Sequence, residues 1–186
     1  VQEKQNLELH AQIQFAMDYG VHYGQRSILI NGTIGPAYVK LVDAALTQME
    51  SESDAPITIK INSSGGSVYD ALAIIGRIKA CKCYIITEGY GQIMSAATVI
   101  LASGDRRRMS AFAWFMWHEV STEYEGKVSE IKQEVKQLEI EYQQFLSTIA
   151  KFSNKSIKYW KTKGVETDFY MNAKQCKAAG LVEEII

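Results

Sequence analysis

The sequence predicts an α/β fold in which parallel strands are joined by helical crossovers. Three observations predict it. Short apolar, β-branched runs alternate with segments that carry a helical stripe of apolar residues. The breaks between them are rich in glycine and serine, as at Ser63-Ser64-Gly65-Gly66. A single long amphipathic helix follows the last strong apolar run. Parallel neighbours cannot be joined by a hairpin, and the intervening helices supply the longer connections they need.

The leading residues leave two readings open. Leu7, Leu9, Ala11, Ile13, Phe15, Met17 and Tyr19 alternate like a half-buried strand, while the same segment has fair helix propensity. Ser27 to Asn31 then reads as a strand stopping at Asn31-Gly32. Tyr38 to Met49 reads as a helix, with apolar residues at 38, 39, 41, 42, 45, 46 and 49. The pattern repeats with a strand over Pro56 to Asn62, the glycine break, and a helix over Val68 to Lys79. Tyr84 to Thr87 is the next strand, followed by the glycine-lined stretch Gly89 to Met94 and a helix over Ser95 to Ala102. Arg106, Arg107 and Arg108 read as a solvated turn. Phe112 to Trp117 is apolar throughout, as a strand buried on both faces should be, and ends at His118-Glu119.

From Val128 the apolar positions are 128, 131, 135, 138, 142, 145 and 149, a heptad spacing that calls for a packing partner. Lys132, Glu134, Lys136, Glu139, Glu141 and Gln143 occupy the other faces. Further on, Asn172 and Gln175 form a capping box, Gly180 is a helix stop, and Leu181 to Ile186 reads as a closing strand.

A chain of 186 residues fits a single domain, here 1–186. With 47% hydrophobic residues, 22% charged and 2 prolines, it has the composition of a packed protein rather than a disordered tail. A net charge of −1 supplies no field for a phosphate backbone, so nucleic acid is not an expected partner. No apolar stretch is long enough to span a bilayer, and the polar start Val1 to Asn6 is not a signal peptide, so no membrane association is expected. Three cysteines argue against a disulfide framework and for a reducing compartment. Cytoplasm is the expectation, with an organelle matrix or stroma, or a phage-infected cell, left open. Cys81 and Cys83 have no second close Cys/His pair to complete a zinc set, and no metal is expected.

Nucleophilic catalysis by serine needs a hydroxyl on a tight turn, an imidazole to take its proton, a carboxylate to hold the imidazole, and amide donors for the oxyanion. Ser95 follows a strand and glycines and opens a helix, although a plain N-cap would use the same position. Of three histidines, His10 and His22 lie in the leading segment, which makes His118 the candidate base. Past Asp105 the only aspartate is Asp168. Gly65-Gly66 can aim backbone amides at a ligand; it lacks the Lys-Ser/Thr ending of a P-loop and the third glycine of a dinucleotide fingerprint, so an oxyanion hole fits better than a phosphate cradle.

Five segments in order resemble the proteolytic subunit of the Clp protease family. Ile61-Asn62-Ser63-Ser64-Gly65-Gly66 is similar to its I-N-S-P-G-G motif, and Gly91-Gln92-Ile93-Met94-Ser95 to G-Q-A-A-S. Phe115-Met116-Trp117-His118 is similar to V-M-I-H, Asp168-Phe169-Tyr170-Met171-Asn172-Ala173 to D-R-F-L-S-A, and Ala179-Gly180-Leu181-Val182-Glu183 to Y-G-L-V-D. The resemblance runs from about Arg26 to Ile186, leaving 1–25 as a divergent N-terminal segment.

It implies a crotonase-like, ClpP-type superhelix of repeated ββα units, with the helix of 128–152 as a protruding handle. It implies a serine endopeptidase with Ser95 as nucleophile, His118 as general base and then acid, Asp168 as the group that fixes the imidazole, and the amides of Gly66 and Ala96 as oxyanion hole. No cofactor is implied; ATP would be used only by a partner AAA+ unfoldase. The implied assembly is a heptameric ring, single or double, that encloses its active sites and admits unfolded polypeptides. Ser64 stands where the family has proline, Glu119-Val120 where it has Gln-Pro, and Thr167 where many members carry an arginine tied to ring pairing. The Glu119 departure raises the expectation of a carboxylate near the base. Three alternatives stay open: a non-catalytic ring subunit, a dedicated processing protease of phage type, and an acyl-CoA enzyme of the crotonase fold.

Overall fold

The computed structural model describes residue 10 and residues 13–186. Residues 13–19 form a helix, α1, so this part of the leading segment is helical; Leu7, Leu9 and Ala11 lie outside the described residues. Gly20, at φ +71, ends it, donating its N–H to the Ala16 carbonyl and accepting from Leu29.

Eight strands share one sheet: β1 (Val21–His22), β2 (Ser27–Asn31), β3 (Ile57–Ser63), β4 (Ile85–Met94), β5 (Arg106–Met109), β6 (Trp114–Trp117), β7 (Phe169–Asn172) and β8 (Glu184–Ile185). The main path runs β1-β2-β3-β4-β5-β8, parallel from β2 onward, and β6 and β7 form a branch. Helices α2 (Pro36–Glu52), α3 (Val68–Ala80) and α4 (Ala96–Ala102) follow β2, β3 and β4, which is the strand–helix alternation legible in the sequence. On β3 the side chains alternate: Ile57, Ile59 and Ile61 are buried while Thr58, Lys60 and Asn62 face the less covered side. Val42, Leu46 and Met49 of α2 and Ile74 and Ile78 of α3 join the same core, and all seven residues of α4 are buried.

The branch arises in β4. Its first half, Ile86 to Gly89, pairs with β5, and its second half, Gln92 to Met94, pairs with β6. Between the two, Gly91 adopts φ +57 with a built Cβ only 2.7 Å from Asn62 Oδ1, which itself accepts the Gln92 N–H at 3.1 Å. The glycine-lined stretch, expected to lie beyond a strand ending at Thr87, is therefore strand with a bulge, and β4 runs on to Met94.

The arginine run also differs from its expected turn. It is strand β5, and its charges are answered across the sheet: Lys60, Glu88, Arg108 and Glu184 stand opposite one another on four successive strands. Arg108 bridges Glu88 at 3.0 Å and Glu184 at 3.3 Å, and Arg106 bridges Glu184 at 2.7 Å. Arg107 faces the other way, pairing with Glu183 and donating to the Phe152 carbonyl at 2.7 Å. Strand pairing with glutamates up to 78 residues away could not be read from the run itself.

The helix α5 (Val128–Lys151) divides in two. Tyr142, Phe145, Leu146 and Ile149 pack on the body, whereas Val128, Ile131 and Val135 are exposed. One heptad seam thus serves its own core along its second half and stands unpartnered along its first. After α6 (Ile157–Glu166), β7 returns antiparallel to β6; α7 (Ala173–Ala178) opens on the Asn172–Gln175 capping box, and Gly180 (φ +73) precedes the buried Leu181 and Val182. The closing strand is two residues, shorter than expected, because only Glu184 and Ile185 find partners on β5. Among the described residues no helix is long and apolar enough to cross a membrane.

Candidate active site

Ser95 sits between β4 and α4 with φ 52 and ψ −123, a conformation that non-glycine residues seldom adopt. Its N–H donates to the Met116 carbonyl at 2.9 Å, which fastens the strained turn to β6. The turn needs room, and Gly65 provides it. At φ +101, a Cβ on residue 65 would lie 2.6 Å from Ser95 Cβ and 2.8 Å from the Met94 carbonyl oxygen.

His118 follows β6 directly and meets Ser95, with Nε2 2.7 Å from Oγ. For a neutral imidazole receiving the hydroxyl proton, Nε2 is the acceptor and Nδ1 carries the hydrogen. The floor under this histidine is aromatic. Trp117 is fully buried, stacks on Phe145 of α5 at 4.9 Å between centroids, and donates from Nε1 to the Trp160 carbonyl at 3.0 Å. Trp160, also buried, donates its own Nε1 to Ser153 Oγ at 2.9 Å. Both indole N–H groups are thereby satisfied, and β6, α5 and α6 are locked together one residue from the imidazole.

Two backbone amides lie beside the serine. Gly66 forms an isolated parallel bridge to Ile34 in which Gly65 O accepts from Ile34 and Ser67 N–H donates to it. The bonds to Ile34 come from the flanking residues, so the Gly66 N–H is turned to the opposite side. A Cβ at residue 66 (φ +145) would fall 2.2 Å from the Ile34 oxygen, so only glycine fits there. Ala96 opens α4, where the N–H has no intrahelical acceptor. Gly66, Ser95 and His118 share one groove of about 280 Å3.

Asp168 immediately precedes β7. The β6–β7 register pairs Trp117 with Phe169, and one step further sets residue 168 opposite residue 118. The Asp168 side chain is exposed and makes no hydrogen bond to His118 among the described residues. Ser95 and His118 are thus joined side chain to side chain, while Asp168 is joined to them by register alone. Glu119 turns away from the base. Its N–H donates to the Gly164 carbonyl at 3.1 Å, and it lines a separate groove with Tyr142 and Lys161. The carboxylate expected near the base acts on Tyr142 instead: burial first, and the charge of Glu119 second, push the phenol up to about 12.

The sequence did not flag the far wall of the Ser95 groove, formed by Tyr69 of α3 and by Glu134, Leu138, Glu141 and Phe145 of α5. Tyr69 Oη hydrogen-bonds Glu141, which pushes the phenol pKa up. Their separation along the chain hides the pair; only the spacing 134, 138, 141, 145 along one helical face hints at a shared surface.

This sheet, with its crossover helices, is a ClpP-type, crotonase-like fold: a mutant of ClpP1 from Listeria monocytogenes superposes with a TM-score of 0.81 at 28% identity, covering 88% of this chain and 92% of that one. Among curated proteins, the ATP-dependent Clp protease proteolytic subunit of Carsonella ruddii (strain PV) is 29% identical over 165 residues, which is 87% of this chain and 84% of that protein. The family model described as Clp protease matches residues 11–186. The chain belongs to the Clp protease family, and its class is that of a Clp-type peptidase.

Proposed function

We propose that this protein is a serine endopeptidase that cleaves unfolded polypeptides inside a ring built from copies of itself. The observation that carries the reading is the 2.7 Å contact between His118 Nε2 and Ser95 Oγ on a strained turn beside the Gly66 amide. His118 takes the Ser95 proton as Oγ attacks the carbonyl carbon of a peptide bond. The tetrahedral oxyanion is held by the amides of Gly66 and Ala96, each donor contributing about 3 kcal/mol in enzymes of this kind. The imidazolium then passes its proton to the leaving nitrogen and the C–N bond breaks, leaving an acyl group on Ser95. Water, deprotonated by His118, attacks the ester and restores Ser95. Asp168, set opposite His118 by the β6–β7 register, is in this reading the carboxylate that closes onto the Nδ1 proton and stabilises the cation when substrate is bound. The reaction calls for no metal or cofactor.

Assembly is supported by the unpartnered half of α5. Val128, Ile131 and Val135 continue a heptad seam whose second half is buried, and a second copy of the helix matches that spacing. The ring is heptameric in this reading. Because the Carsonella relative is named ATP-dependent, an AAA+ unfoldase is the partner that would feed it and spend the ATP. All three cysteines are free thiols, which suits the reducing cytoplasm or an equivalent compartment. Hydrolysis of short fluorogenic peptides, measured on wild type and Ser95→Ala with native mass recorded on the same samples, tests the reading: activity only in the wild type, at a multimeric mass, is expected. Equal turnover by Ser95→Ala would remove it.

A further inference from the structure

The groove that holds Ser95 and His118 has an acidic wall. Along α5, Glu134, Leu138, Glu141 and Phe145 are spaced 4, 3 and 4 residues apart, which sets them on one face, and all four line the groove with Ser95, His118 and Gly66. Carboxylates and apolar groups therefore alternate along the wall. No lysine or arginine lines the groove. Glu134 makes no ion pair or hydrogen bond among the described residues. Lys132 and Lys136, the two nearest cations along the helix, do not line this groove, and Lys136 shares with Glu134 the neighbouring one toward Tyr124 and Ile140. Glu141 accepts from Tyr69 Oη, which fixes the carboxylate at the groove edge without neutralising it; Gln137 adds a 3.4 Å contact to the same phenol. Two carboxylates and two apolar side chains thus face the nucleophile, and His118 is the one imidazole in the groove, with no lysine or arginine lining it.

We propose that this groove takes the side chain on the acyl side of the scissile bond and selects lysine or arginine there. The inference rests on the peptidase reading above. A long aliphatic stem fits against Leu138 and Phe145, and a cationic head meets Glu134 and Glu141, where removal from bulk water strengthens the attraction. An acidic side chain in the same place is repelled by both carboxylates and has no partner. Leucine or phenylalanine gains the apolar wall and leaves two carboxylates partly desolvated and unanswered.

A panel of peptidyl-coumarin substrates that differ only in the acyl-side residue reads this preference directly. Lysine and arginine should exceed leucine and phenylalanine in kcat/KM by roughly tenfold, with aspartate and glutamate at the bottom. The double variant Glu134→Gln, Glu141→Gln should reverse the order of lysine and leucine, and raised salt should narrow the wild-type ratio. A wild-type preference for leucine or phenylalanine, or a lysine-to-leucine ratio that the double variant leaves unmoved, overturns the proposal. Fluorophosphonate labelling of Ser95 in the same preparation separates the two claims. Labelled protein with apolar preference sinks the specificity alone, whereas unlabelled protein that cleaves nothing in the panel sinks the peptidase reading and this one with it.

Discussion

Replacing Gly65 by alanine tests whether the strained serine turn is built around that glycine. A Cβ there would lie 2.6 Å from Ser95 Cβ, 2.8 Å from the Met94 carbonyl oxygen and 3.1 Å from the Ala96 nitrogen, at a φ of +101 that an L side chain resists. The backbone conformation costs about 1–3 kcal/mol for a non-glycine residue. Relieving the overlap costs a similar amount, about 1–3 kcal/mol, because the contacts are backbone atoms and a Cβ rather than the end of a flexible side chain. Together these predict a loss of about 2–6 kcal/mol, which at roughly 2–4 °C per kcal/mol for a chain of this size lowers Tm by about 4–24 °C at fixed protein concentration. The catalytic effect should be larger than stability alone explains. Shifting Ser95 Oγ by about 1 Å from His118 and the oxyanion amides costs on the order of a hundredfold in rate. Gly76→Ala is the matched control. Gly76 lies in α3 with nothing within 4 Å of its would-be Cβ, so the same chemical change there should be neutral or stabilising by up to about 1 kcal/mol. Thermal unfolding and peptide hydrolysis on both variants decide the matter. Gly65→Ala with wild-type Tm and turnover would refute the account of the turn.

Two other outcomes follow from the same structure. Among the described residues the buried Tyr142 hydroxyl has no hydrogen-bond partner, so Tyr142→Phe should hold or raise stability at neutral pH by up to about 1 kcal/mol. Because burial and Glu119 raise this phenol from 10.0 to about 12, the folded state keeps a proton that the unfolded state releases; stability should fall as pH rises through that interval, and less steeply in Tyr142→Phe, as urea titrations at stepped pH will show. On α5, Ile131→Asp with Val135→Asp places charge on the exposed seam and spares the buried half, so native mass should drop to smaller species while the monomer's circular dichroism is retained. An unchanged mass would remove α5 as the assembly surface.

Much of the fold was legible because periodicity reports burial. The β-branched alternation of Ile57 to Ile61 and the stripe through Val42, Leu46 and Met49 each encode a face turned to one core. What escaped was set by partners distant in sequence. Arg106 to Arg108 looked like a turn because their glutamates lie on β4 and after α7, and β4 looked short because the Gly91 bulge is stabilised by Asn62 on the adjacent strand. β7 and α6 left weak traces: four residues behind an aspartate, and a segment whose Trp160 is buried only because Trp117 and Phe115 reach it. At the site, Ser95 and His118 were readable as a strand-to-helix serine and a strand-end histidine, and the geometry joins them. Glu134 and Glu141 read as solvated helix positions, and only the packing of α5 on α4 and α6, with Tyr69 of α3 bonded to Glu141, turns them toward the serine.

The most direct test of the central claim is the site of covalent modification by a fluorophosphonate, located by peptide mass spectrometry. A single adduct on Ser95, absent from Ser95→Ala and strongly reduced in His118→Ala, is predicted because the reagent needs both an activated hydroxyl and the base that accepts its proton. An adduct on another residue, or labelling that survives Ser95→Ala, would contradict it.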